Sequence, residues 1–303
     1  MTVAKAIPKA QLITSDITRS RRLRRGRVYV IANQVHVHAG ARLTIDDGVT
    51  ILIRNGRIPG ARLRRCAFLF DPGSRLVAGR VTFRACDAEN RPERLADNGG
   101  VWFLGNTQAA AKDGIAVKPD RALPLSSFSA RAISVHWLGR RDTYASAVTG
   151  RQLDIGDDVD GLSVLGVGVQ EWKIAAVRSA WSGDDGFDVT NSRIRLDRLE
   201  VRSPQEDGLN VSSSRVEIAK RLVVDMGGVT GRDRELFDLE TDDGASYIEI
   251  RRGCRVQVEG VFGDEMVLSS KDMKQPIRRR SAVYRFNGVS RRQATLVYSI
   301  DED

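Results

Sequence analysis

Aromatic residues make up only 6% of the 303-residue chain, against 41% hydrophobic residues in total. The interior is therefore expected to be filled by Val, Leu, Ile and Ala. Cysteine is scarce too: Cys66, Cys86 and Cys254 are too few to staple a chain this long, and read as buried, reduced, small hydrophobes. Histidine occurs three times, at His36, His38 and His136. No run approaches the ~20 apolar residues that a membrane-spanning helix needs. The opening "MTVAKAIPKAQLITSD" lacks the apolar stretch of a signal peptide. As written the chain reads as cytoplasmic, and as secreted if a leader was removed. Helical periodicity is nearly absent, which argues against a leucine-rich repeat or any other α/β solenoid.

Positive charge, by contrast, is plentiful. Forty-eight Lys plus Arg against 39 Asp plus Glu give a formal charge of +9. Such a balance favours acidic partners, among them polyuronates, nucleic acid and anionic surfaces. Six arginines fall within Arg19 to Arg27. That run reads as a solvated segment, and its lack of aromatic residues disfavours a nucleic-acid interface.

Repetition is the strongest signal. Asp185-Gly186-Phe187-Asp188-Val189 is answered 22 positions later by Asp207-Gly208-Leu209-Asn210-Val211. Asp160-Gly161-Leu162-Ser163-Val164 precedes them as a third copy. Within each copy apolar and polar residues alternate, as in a short half-buried strand. Nearer the N-terminus, "VHVHAG", "LTIDDG" and "ILIRNG" recur with a period of eight. Short strands and tight turns at a fixed 20–25-residue period predict a solenoid, because one coil cannot bury its apolar face alone. The expected fold is all-β: a right-handed parallel β-helix over residues 28–270. Phe187, Val189, Leu209 and Val211 are expected to stack in its core.

A solenoid exposes strand edges at its ends, so caps are expected. Residues 1–27 read as a basic N-terminal arm or cap. Residues 271–303 read as a C-terminal β-hairpin cap turning at Asn287-Gly288, a strong hairpin signal. The aperiodic stretch 106–127 reads as a lateral excursion, the kind that walls a cleft.

The acid-glycine phrases at Asp184-Asp185-Gly186 and Glu206-Asp207-Gly208 resemble those of the pectate-lyase-like β-helix superfamily, most closely polygalacturonase-type glycoside hydrolases. "GGVWFLGN" (99–106) and "LGVGVQEWKIAAVRSAWSGDDGFDV" (165–189) resemble a group of bacterial β-helix domains. The resemblance spans about residues 28–270. It implies a parallel β-helix that acts on or binds an acidic polysaccharide. The Gly-His-Gly and Arg-Ile-Lys phrases of polygalacturonases have no counterpart, since the matching region reads "DMGGVTGRDREL".

In such a fold Ser163, Asp188 and Asn210 share an outward slot, with Asp160, Asp185 and Asp207 just before it. A column of carboxylates on coils ~5 Å apart must raise one pKa or recruit a cation. One protonated and one ionised acid is glycosidase chemistry, while a calcium site with a basic residue is lyase chemistry. The expected catalytic residues are Asp184, Asp185, Asp188 and Asp207. Lys173, Arg193 and Arg215 are the expected substrate-binding residues. A metal, if bound, would sit on Asp184, Asp188 and Glu206, with Ca2+ the candidate and no cofactor required. Asp before Gly is also ordinary turn chemistry, so an architectural role competes at Asp160, Asp207 and Asp243. Asp188 fits that role less well, because Asp is disfavoured in mid-strand. His36 and His38 share a strand face and read as solvent-exposed. The competing function is a non-catalytic β-helix, a structural or binding module with protein partners.

Overall fold

A computed structural model describes residues 10–55, 66–94, 98–106, 111–112, 115–116, 122, 124–140, 159–227, 235–240, 245–260, 266–270, 273–277, 284–289 and 295–299. Every regular element among them is a β-strand. The chain is all-β, with extended parallel sheets compatible with a β-helix.

One sheet has seven strands: Gln34–Val37, Ala67–Phe70, Val101–Leu104, Leu162–Leu165, Asp188–Thr190, Asn210–Ser212 and Asp238–Glu240. Each pairs in parallel with the next in chain order. The repeat is visible as register: Asp188 lies opposite Asn210 and Val189 opposite Val211. A second, larger sheet is crossed by the long strands Arg75–Cys86, Ser127–His136, Arg193–Arg202 and Arg215–Asp225. Their leading halves pair among themselves, as in Arg193 with Arg215, and so do their trailing halves, as in Leu199 with Leu222. Each repeat thus visits the seven-stranded sheet, then the leading half, then the trailing half.

The corners between them are made by residues in left-handed conformation. Asn191 (φ 47°) and Ser213 (φ 47°) occupy equivalent corners, and their N–H groups bond the carbonyls of Ser212 and Glu240 one repeat on. Serine hydroxyls reinforce this side: Ser192 N–H donates to Ser214 Oγ at 2.8 Å, and Ser214 N–H to Ser246 Oγ at 3.3 Å. The serine run is therefore a structural ladder.

Between the sheets lies one apolar cluster reaching from Ile13 to Val258. Phe187, Val189, Leu209 and Val211 are all fully buried in it. Branched aliphatics dominate, as expected. Aromatic rings are nevertheless concentrated at one level, where Phe103 stacks on Phe70 at 4.8 Å and meets Phe128 at 5.0 Å and Trp172 at 5.5 Å. All three cysteines are buried and unpaired, and burial pushes the Cys86 thiol up to about 12 and Cys254 to about 11.

Two features of the ends differ from expectation. Gln11–Ile13 and Arg21–Leu23 already pair in parallel with Tyr29–Ile31 and Arg42–Ile45, so parallel pairing begins inside the segment read as a basic arm or cap. Asn287 and Gly288 make no turn. They lie within the strand Tyr284–Val289, opposite Gln257 and Val256 in an antiparallel pairing that covers Arg255–Gly260. Antiparallel strands Met266–Ser270 and Met273–Ile277 pair instead across two residues. Most of the 106–127 stretch, and Asp243, lie outside the described residues. Among the described residues no helix is long and apolar enough to cross a membrane.

Candidate functional site

The acid-glycine phrases stand at the corner that leads into the seven-stranded sheet. Each glycine is there because the next repeat passes too close for a side chain: a Cβ on Gly186 would strike the Val201 methyl and the Gly208 carbonyl oxygen. The same holds at Gly208, against Val224 and the Leu236 carbonyl.

The aspartates before these glycines bond the following repeat. Asp207 N–H donates to Asp185 Oδ1 at 3.1 Å, and Glu235 N–H donates to Asp207 Oδ1 at 2.6 Å. Asp185 and Asp207 are 5% and 6% exposed. Each carboxylate thus receives a backbone amide that the sharp corner leaves without a strand partner. Asp160 takes the equivalent place and accepts a bond from Ser163 Oγ at 3.0 Å.

Asp188 shares its slot with Ser163 and Asn210, in the predicted register. The column is nevertheless covered, contrary to the expected solvent-facing array: Ser163 and Asp188 are each 1% exposed. Asp188 Oδ1 accepts a bond from Thr190 Oγ1 at 3.2 Å. In the same slot of earlier strands stand Trp102 and Leu69, which belong to a second apolar cluster with Ala67, Leu104, Val159 and Leu165. This slot of the sheet is therefore buried from Leu69 to Asn210, while His36 and Asp238 at its two ends are partly exposed. Asp184 is buried as well, at 1% exposure, and its backbone carbonyl accepts from Gln205 and Glu206 N–H. Glu206 is half-buried.

Crowding has the expected electrostatic result at one residue. Burial, then the neighbouring Asp185 and Glu235 carboxylates, push the Asp207 pKa well above the ordinary carboxylate value. A raised folded-state pKa stabilises the fold below the unfolded pKa of about 4 and loses that contribution as pH rises through the folded value. Asp207→Asn keeps the acceptor for Glu235 N–H without the charge. It is expected to be at least as stable as the wild type at neutral pH, with a flatter stability profile from pH 4 upward. Chemical denaturation at several pH values checks this; a large loss at pH 7 would mean that the charge itself is needed.

The basic residues lie elsewhere. Lys173, Arg193 and Arg215 are exposed on the leading half of the larger sheet, beyond the corner formed by Asn191 and Ser213. Arg215 pairs with Glu249, which also binds Arg251. The strands that carry Asp188 and Asn210 and those that carry these basic residues do not belong to the same sheet. Nor, among the described residues, do three or more His, Cys, Asp or Glu side chains converge as a metal site, and Asp184, Asp188 and Glu206 form no such group.

Two features were missed in the sequence. His36 Nδ1 lies 2.8 Å from Asp71 Oδ1, and His38 bridges Asp71 (3.0 Å) and Asp16 (3.0 Å). These acids come from adjacent repeats, 35 and 22 residues away, so local spacing could not reveal them. The second is Glu171, 1% exposed. Its Oε1 accepts from Asn106 N–H at 3.1 Å and Ser126 N–H at 2.9 Å, and its Oε2 from Gly168 N–H at 2.7 Å. Asn106 and Ser126 bracket the aperiodic stretch, so this one carboxylate ties its two ends together.

No protein-family model, curated protein or solved structure matches the chain.

Proposed function

We propose that the chain is a capped, right-handed parallel β-helix that binds a polyanionic carbohydrate and does not cleave it. Binding would run along arginine columns on the outward face of the larger sheet. The observation that carries this reading is the register of Arg198, Arg221 and Arg255, which face one another on three neighbouring strands. All three are exposed, and among the described residues none makes an ion pair. Like charges on strands ~4.8 Å apart repel, and although Glu200 feels the charge of Arg221, an external polyanion would relieve the column further. A polymer with one carboxylate per sugar ring supplies charges at comparable intervals. The net charge of +9 acts in the same sense over longer range.

The aspartates of the repeat count against cleavage, because each is buried and Asp185 and Asp207 are already committed to the next repeat. One observation favours the rival hydrolase reading: burial and the Asp185 charge raise the Asp207 pKa, and two neighbouring carboxyls with differing proton affinity are the kind of pair that glycosidases use. That pair would first have to be uncovered.

Polygalacturonate distinguishes the two. Binding is expected to weaken steeply between about 50 and 200 mM salt, as charge neutralisation demands. Neither reducing ends nor an unsaturated product should accumulate, with or without calcium. Appearance of either product would establish the catalytic reading instead.

A further inference from the structure

Two tryptophans sit where the backbone least favours them. In three successive repeats the residue that follows the trailing strand is left-handed, namely Trp137 (φ 62°), Trp181 (φ 54°) and Ser203 (φ 49°), and in the next repeat Gly227 (φ 68°) takes this conformation one position later. Glycine adopts this conformation at little cost, whereas a bulky side chain is strained there. Tryptophan is nonetheless used twice in a row.

The two indoles lie side by side, with ring centroids 6.5 Å apart. The Arg84 guanidinium lies 4.5 Å over the Trp137 ring. Trp181 is 39% exposed. His136 stands next to Arg84 in register, and Arg178 occupies the neighbouring column beside Ser134. Burial, together with the Arg84 and Arg178 charges, lowers the His136 pKa and so favours the neutral imidazole. Both Arg84 Nε and His136 Nδ1 are buried, and among the described residues neither has a hydrogen-bond partner. Among the described residues no acid pairs with Arg84.

We propose that this corner is a subsite for one sugar-acid ring, whose carboxylate meets Arg84 and whose C–H face lies on Trp181. A guanidinium stacked on an indole keeps its in-plane N–H groups for a bidentate carboxylate. A half-exposed indole offers the flat apolar face that a pyranose ring can cover. Neutral His136 is both donor and acceptor, as a ring hydroxyl requires. A single-stranded nucleic acid would need several stacking platforms in sequence. Among the described residues Trp181 is the only exposed large aromatic side chain, which favours the sugar acid. The ligand class rests on the carbohydrate reading above; the location does not.

The test uses the full chain and tri-galacturonate, read by calorimetry and by tryptophan emission. Trp102 and Trp172 are 5% and 4% exposed, so a ligand-induced change would report on the corner. Trp181→Gly suits the observed φ, and is expected to fold at least as stably while losing about tenfold in affinity and most of the emission change. Arg84→Gln is expected to lose about tenfold for tri-galacturonate, and nothing for its methyl ester, which lacks the charge. If both variants bind tri-galacturonate as the wild type does, the subsite is wrong and the carbohydrate reading stands. If the wild type binds neither tri-galacturonate nor polygalacturonate, the carbohydrate reading fails and takes this ligand with it. Tighter binding of oligothymidylate that is lost in Trp181→Gly would overturn the sugar acid in favour of nucleic acid.

Discussion

Phe103→Ala is expected to lower the unfolding free energy by about 3–5 kcal/mol, near the top of the range for a buried aromatic residue. Phe103 is fully buried at the centre of the aromatic level, touching the rings of Phe70, Phe128 and Trp172. Its removal opens a ring-sized cavity and also ends three ring–ring contacts, each worth roughly 0.5–1.5 kcal/mol beyond area burial. The neighbours cannot close the gap, because each is fixed by its own rung of hydrogen bonds. Phe187→Ala should cost less within the same range, since Phe187 lies in the same core cluster without a ring contact to another described aromatic residue. Urea denaturation of both variants measures the difference. Equal losses below about 1 kcal/mol would mean that the aromatic level is not the packed centre of the fold.

A similar loss, about 3–5 kcal/mol, is expected for Glu171→Ala, for a different reason. Three backbone N–H groups, from Asn106, Ser126 and Gly168, converge on its two carboxylate oxygens. An unsatisfied buried donor costs about 1–3 kcal/mol, and three that share one site do not add fully. Glu171→Gln separates shape from chemistry. The amide is nearly isosteric, yet its NH2 would have to face a backbone N–H, so it should lose a large share of the stability as well. Hydrogen exchange at Ser126 and Gly168 should accelerate more than at Val189 in the core. Wild-type stability in Glu171→Gln would show that ordered water or another group takes over these donors.

These residues show where the sequence was informative. The 22-residue repeat gave strand positions, facing direction and register, because pairing between repeats preserves spacing: Asp188 does oppose Asn210, and Val189 does oppose Val211. Alternation also placed Phe187 and Leu209 inward correctly. Burial of the acidic column was not legible. It depends on what packs on that face, where Leu69 and Trp102, in line with the column, join an apolar cluster drawn from segments nearly a hundred residues apart. The role of Asp185 and Asp207 was only half legible, since an Asp-Gly phrase signals a corner but not which amide the carboxylate will accept. At Asn287-Gly288 a local turn signal gave way to pairing along the edge strand Arg255–Gly260, where six consecutive residue pairs outweigh one two-residue preference. The role of Glu171 was not legible, because two of its three partners lie 65 and 45 residues upstream.

The central claim is that the carboxylates of the repeat hold the fold while the arginines on the other sheet hold the ligand. Titrating polygalacturonate into matched Asp188→Asn and Arg221→Gln variants tests it most directly. Asp188→Asn is expected to bind as the wild type does, because its side chain is buried and bonded to Thr190. Arg221→Gln removes the central member of the Arg198–Arg221–Arg255 column. Its stability should be unchanged or slightly higher as repulsion is relieved, while affinity falls about tenfold and the salt dependence becomes shallower. The reverse result, with affinity lost in Asp188→Asn and retained in Arg221→Gln, would contradict the account and return the function to the acidic column.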